Sequence, residues 1–208
     1  MRVVIFGAAG RTGQLVVAQA LGHGHDVTAF VHDAPLPLDH PRLTVVPGDV
    51  LDFDAVSSAV EGQRAVASAL GVGGRGTPRL LSEGIGNIIH AMAVHDVAKL
   101  SAVSAAGTFA RSDPSLSLGF RMMISVTLRS VYDDLERMEQ RIMASDLDWT
   151  IVRPYGLSDE SQTGRYRMTK DGSLLPKASR ISRSDVAAVA LTALETDEYA
   201  RRILTVAE

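Results

Sequence analysis

The sequence predicts an α/β protein built on a doubly wound parallel sheet with helices on both faces. Three observations carry this. Short β-branched apolar runs alternate with amphipathic stretches at helical spacing along the chain. Most of those runs are continuously apolar, as strands buried on both faces are. The first is followed at once by a glycine-rich turn and then a helix. At 208 residues the chain is expected to form one domain, 1–208, large enough to bury a core without disulfide or metal.

Val3-Val4-Ile5-Phe6 is the first strand, ended by Gly7. Leu15, Val16, Ala18, Gln19 and Leu21 continue at helical spacing until Gly22 and Gly24 stop the helix. Asp26 to Val31 is the second strand, closed by Pro35 and Pro37, which exclude helix continuation. Leu43 to Val46 is the third, stopped by Pro47-Gly48. A short helix lies between Asp52 and Val60, with Asp52 or Asp54 near its positive end. Arg64 to Leu70 is the fourth strand, and the glycine-rich stretch Gly71 to Gly76 follows. Leu81, Ile85, Ile88, Ile89 and Met92 mark a long helix over Leu80 to Val94, and Val97 to Val103 is the fifth strand. Residues 105–120 have no period and are expected to form a covering loop. Leu128, Val131, Leu135, Met138, Ile142 and Met143 form a helical stripe, and Trp149 to Val152 is the sixth strand, ending at Arg153-Pro154. A hairpin element around Tyr166 to Thr169, a helix from Ser184 to Leu194 and a strand from Ile203 to Val206 complete the chain.

Composition excludes several functions. Twenty-one basic against 24 acidic residues, with no run of like charges, argues against a nucleic-acid partner. Aromatics are only 5% of residues, too few for base-stacking platforms. The absence of cysteine excludes a thiolate nucleophile, a zinc finger and an iron–sulfur cluster. No window approaches the roughly 18 consecutive apolar residues of a membrane helix, and Val3 to Phe6 is too short for a signal-peptide core. The expectation is a cytoplasmic monomer or small homo-oligomer with no membrane partner.

Gly7-Ala8-Ala9-Gly10-Arg11-Thr12-Gly13 stands after a buried strand and before a helix, where a dinucleotide pyrophosphate meets backbone N–H groups and the helix dipole. This Rossmann-type placement makes Gly7, Ala9, Gly10, Arg11, Thr12 and Gly13 candidate cofactor residues. At the end of the second strand, Arg11 and a protonated His32 suit a 2′-phosphate, whereas Asp33 suits a free 2′-hydroxyl. Asp49-Val50 after the third strand could face the adenine, though Asp49 equally fits an ordinary turn. Leu70-Gly71 gives room for a ribose at the same edge. The expected cofactor is NADPH, with NADH as the alternative.

These pieces, with ALG at 69–71, VSA at 103–105, DWTIVRP at 148–154, TGRYRMTKDG and TDEYA, resemble in order the NmrA-like atypical short-chain dehydrogenases, and most of all the flavin reductase and biliverdin reductase B family. The resemblance covers nearly the whole chain and implies NAD(P)H-dependent reduction of a planar acceptor such as flavin, quinone or bilin. Carried over by position, it makes Ser104 the active-site serine and places Arg153, Pro154 and Tyr155 beside the nicotinamide, with an acceptor pocket formed by loops 105–123 and 153–180. Two departures stand out: His32 occupies the position of a more basic residue, and Pro154-Tyr155-Gly156-Leu157 lacks the family's bilin-pocket histidine.

The Tyr-Lys pair of ordinary short-chain dehydrogenases is not expected. Tyr132 has Glu136 at the i+4 position, and a carboxylate there raises a phenol pKa. Tyr166 and Lys170 lie in an alternating segment, where four strand residues separate side chains by roughly 13 Å. No metal-ligand spacing of His, Asp and Glu is evident, and Ser104 lacks a nearby triad pattern. Phe109, Leu116, Leu118, Phe120, Met122 and Met123 suit an apolar lid. The rival reading is a non-catalytic NmrA-type redox sensor that binds the dinucleotide; a sugar-nucleotide epimerase is weaker, because the chain is short for a substrate domain.

Overall fold

The computed structural model describes residues 1–71, 79–108 and 129–208. The chain runs β1 (Arg2–Phe6), α1 (Arg11–Gly22), β2 (Asp26–Val31), β3 (Leu43–Pro47), α2 (Phe53–Val60), β4 (Ala65–Ser68), α3 (Leu80–Val94) and β5 (Lys99–Val103). A 3₁₀ turn at Ala106–Thr108 follows, then α4 (Arg129–Met143), β6 (Asp148–Pro154), β7 (Gly156–Ser158), β8 (Arg167–Thr169), β9 (Arg180–Ser182), α5 (Arg183–Glu195) and β10 (Arg202–Ala207).

The main sheet has the order β3-β2-β1-β4-β5-β6-β10-β8 and is parallel except for β8. Alternate residues of β1 serve the two faces. Val4 and Phe6 pack with Val56, Ile85, Ile88, Met92 and Met138 of α2, α3 and α4. Val3 and Ile5 pack with Val16, Val17, Ala187 and Leu191 of α1 and α5. Both faces are therefore covered, as the continuous apolar runs require. Strand order reverses at β1, whose neighbours are β2 and β4, so the crevice of a doubly wound sheet opens above the carboxyl ends of β1 and β4.

One expectation needs correction, and two features could not be read beforehand. The Leu43 to Val46 run is an edge strand, largely open to solvent, with Val45 at 44% exposure. The 166–169 segment forms no hairpin: β8 pairs antiparallel with β10, Thr169 opposite Thr205. A parallel pair, β7 with β9, was not anticipated, because three-residue strands leave no periodicity to read.

Two helix starts depend on carboxylates remote in sequence or buried at the helix end. Arg79, before α3, is left-handed at φ +67° and gives no side-chain cap. Asp134 of α4 takes that place, accepting from Leu81 N at 2.8 Å, Ser82 N at 3.3 Å and Ser82 Oγ at 2.5 Å. At α5, Ser182 is the N-cap and bonds Asp185 N at 3.0 Å. The buried Asp185 carboxylate in turn accepts from Ser182 Oγ at 2.7 Å and Gly164 N at 2.8 Å, and also from Thr163.

Candidate functional site

The site begins at the turn between β1 and α1. Gly7 has φ +72°, and a Cβ there would stand 2.5 Å from Ala69 O at the end of β4. A Cβ on Gly13 would collide with the Gly7 carbonyl, so both positions require glycine for close approach. Gly10 is the N-cap of α1; its N–H bonds Gly7 O at 3.0 Å, and it supplies no side-chain cap. With no acidic residue in the first turn either, the first N–H groups of α1 and its positive dipole end have no negative side chain of the helix to meet. Across the crevice, a Cβ on Gly71 would meet nothing within 4 Å among the described residues. A backbone cradle for an anion thus lies beside the carboxyl end of β4.

A family described as NAD(P)H-binding matches residues 7–197. The chain belongs to this NAD(P)H-binding family. An uncharacterized chloroplastic protein of Arabidopsis thaliana is 28% identical across 99% of this chain and 76% of its own length. A short-chain dehydrogenase/reductase of Veillonella parvula, solved in complex with NADP, has a TM-score of 0.83 at 19% identity over 100% of this chain and 94% of that one. A Streptococcus pneumoniae protein described as a candidate NADH-flavin reductase has a TM-score of 0.81 at 21% identity over 100% and 99%. At those identities the two structures speak for the fold.

The residues present fit the family's dinucleotide. Glycine at 7 and 13 lets the turn close against the β4 end and against itself, which no side chain there would allow, and the uncapped α1 start offers N–H donors to a pyrophosphate. Arg11 and Thr12 belong to that first turn, and the Ala9 carbonyl is tied to Gln14 Nε2 at 2.8 Å, which holds the turn closed. Arg11 is exposed and paired with Asp159, whose other oxygen holds Arg183 at 2.6 Å.

The carboxyl end of β2, where the 2′ position is expected, holds more acid than a phosphate would need. His32 Nδ1 faces Asp33 at 3.1 Å, and its Nε2 faces Asp49 at 3.9 Å. Asp49 Oδ1 also accepts from Leu51 N at 2.9 Å, so the turn role of Asp49 is real, while its second oxygen looks toward His32. Asp52, not Asp49, caps α2. Val50 is buried with its methyls against Gly84, and its carbonyl takes Asn87 Nδ2 at 3.0 Å. Leu70 lies half-buried beside them.

Ser104 stands one residue beyond β5, on the same sheet edge. Its N–H is held by Val152 O at 2.8 Å, and its hydroxyl lies 3.4 Å from that of Thr108. The Tyr132 hydroxyl presses on Gly107 of the same turn, where a Cβ would come within 2.5 Å. Burial raises the Tyr132 pKa; the cause expected from sequence, Glu136, is not what acts. Sequence reasoning set Tyr132 aside for its missing lysine, yet the fold brings it to the turn that carries Ser104.

Arg153 and Tyr155 are committed to the protein itself. The Arg153 guanidinium makes a bidentate pair with buried Glu139, at 3.0 and 2.5 Å, and reaches Gly172 O at 3.4 Å. Only 5% of Arg153 is exposed, and its pair with Glu139 braces α4 against β6. Pro154 is buried with it at the strand end. The Tyr155 hydroxyl donates to Leu175 O and accepts from Leu175 N, both at 3.1 Å, which pins the 170s segment and uses the proton an acceptor oxygen would need. In the segment carrying Tyr166 and Lys170, the lysine pairs with Glu198 at 2.5 Å and lies over the Tyr199 ring. Of the expected lid at 105–123, residues 105–108 form the 3₁₀ turn and its approach, while 109–123, like 72–78 of the glycine-rich stretch, lie outside the described residues.

The expectation of no metal-ligand grouping is also corrected: His23, His25 and Glu195 converge, with ligand atoms all within 4.8 Å of one another. No spacing rule could find them, since the glutamate is 170 residues from the nearer histidine.

Proposed function

We propose that the protein is an NAD(P)H-dependent reductase that passes hydride to a planar acceptor, with flavin or quinone ahead of bilin, and that it prefers NADPH. The observation that carries this reading is the backbone cradle at the crevice between β1 and β4, in a chain of the NAD(P)H-binding family. The Streptococcus pneumoniae likeness and the resemblance to flavin reductases favour flavin among acceptors. Bound NAD(P)H supplies the hydride. Gly7, Gly10 and Gly13 hold the pyrophosphate, and Arg11 leaves its exposed partner Asp159 for the 2′-phosphate, an exchange that costs little because such surface pairs are weak. Ser104 orients the reacting ring or its carboxamide by a hydrogen bond, and Arg153 and Tyr155 are positioning residues that fix the strand end beside it. A reduced flavin takes its remaining proton from water, so no strong acid is required of the protein. We further propose a cytoplasmic setting and a monomer or small homo-oligomer.

The test follows nicotinamide absorbance with flavins, quinones and bilins, each with NADPH and NADH. Turnover with flavin is expected, and Ser104→Ala should lower kcat about tenfold, the scale of one hydrogen bond. Tight dinucleotide binding with no turnover on any acceptor would replace this reading with that of a redox sensor.

A further inference from the structure

Two helices end side by side at the sheet edge opposite the nucleotide crevice. α1 stops at Gly22 with His23 as its C-cap, and Gly24 at φ +82° reverses the chain. Gly24 N bonds Leu21 O and His25 N bonds Ala20 O, each at 3.0 Å, the paired bonds of a Schellman turn. This turn fixes the directions of both histidines. α5, packed against α1 through Ala187, Leu191 and Leu194, ends at Glu195. Neither helix has a basic residue in its last turn, so two negative dipole ends and a carboxylate meet at one point that favours a cation.

We propose that His23, His25 and Glu195 form a binding site for a divalent transition-metal ion of the Zn²⁺ type. His23 Nδ1 and His25 Nε2 approach the same oxygen, Glu195 Oε1, at 2.8 and 2.7 Å. A tetrahedral ion with bonds of about 2.0–2.1 Å spaces its ligand atoms about 3.3 Å apart, so a small outward shift admits one. Two imidazoles and a carboxylate select this class over Mg²⁺ or Ca²⁺, which prefer all-oxygen shells. His25 and Glu195 are largely enclosed, at 12% and 28% side-chain exposure, while His23 at 53% leaves the solvent side open for entry and a water ligand. The cluster also borders an open cavity of about 640 Å³ shared with Gln63, Arg64, Lys99 and Asp148. Each ring nitrogen that now faces Glu195 Oε1 must be free of its proton to coordinate: a neutral ring carries it on the other nitrogen, and a protonated ring releases one to solvent. With His25 coordinating through Nε2, its ring proton sits on Nδ1, and the Met1 amino group facing that atom at 3.1 Å turns to solvent.

The experiment titrates tag-free protein with ZnCl₂, with MgCl₂ as control, by calorimetry and by thermal unfolding. One Zn²⁺ per chain is expected, with a rise in Tm by mass action. Affinity should fall more than about tenfold in both His25→Ala and Glu195→Gln. Co²⁺ should give the visible absorption of a low-symmetry site. Should His25→Ala fail to fold, the exposed His23→Ala variant decides, with the same loss expected. No stoichiometric binding, equal binding by Mg²⁺, or affinity unchanged in the variants overturns the proposal and leaves a proton-bridged ion pair. This reading is independent of the reductase reading, because its readouts need neither dinucleotide nor acceptor.

Discussion

Glu139 and Arg153 show how a buried charge pair sets the shape of a strand end. Both are nearly inaccessible, and removing one charge leaves the other in low dielectric without compensation. Glu139→Gln should therefore destabilise the protein by about 3 kcal/mol in denaturant titration. A change under about 0.5 kcal/mol would mean that water or another group readily replaces the carboxylate. At this scale the sequence was legible for glycines and less so for charges. Gly7 and Gly13 could be read because their constraint is local: a turn must close between a strand and a helix. Less could be read of the partners of Arg153, Tyr155 and Arg11, because a side chain's direction depends on residues such as Glu139, Leu175 and Asp159, which no local pattern names.

At the scale of an element, helix starts are the informative feature. Asp185 has burial working to raise its pKa, yet hydrogen bonds from Ser182, Gly164 and Thr163 hold it below the ordinary carboxylate value. A folded-state pKa below the unfolded value, about 3.9, adds stability that is present above that pH and is lost as pH falls through the folded pKa. Asp185→Asn should therefore cost about 2 kcal/mol at neutral pH and flatten the stability profile below about pH 4, measured by Tm across pH. An acid limb as steep as wild type would assign the pH dependence elsewhere. The elements were largely legible, since periodicity reports which face is buried. α1, α3 and α5 fall where apolar spacing put them, within a few residues. The Asp134 cap of α3 was not, because it is supplied by a different helix 52 residues away from Ser82.

For the whole molecule, a parallel sheet covered on both faces was readable from apolar runs, and its reversal at β1 locates the crevice. Cofactor preference belongs to this scale, because it sums charges from the α1 start, the β2 end and the Asp159 loop. NADPH should bind more tightly than NADH at pH 6, and Arg11→Ala should reduce the difference while leaving NADH affinity unchanged, as read by fluorescence titration. Equal affinity, or NADH preferred, would assign the 2′ position to Asp33 and a free hydroxyl. The sheet order has one more consequence, for the way the chain is made. Among the described residues β8 pairs in the main sheet only with β10, and β10 also covers the open side of β6, so residues 148–154 and 167–169 are completed by residues 202–207. During vectorial synthesis β1 to β5 can assemble as they emerge, while one flank of β6 must wait for residues 202–207 to clear the ribosome. Nascent chains stalled before residue 202 should thus expose a naked strand edge to chaperones and proteases, whereas those stalled beyond residue 207 and its tunnel length should not.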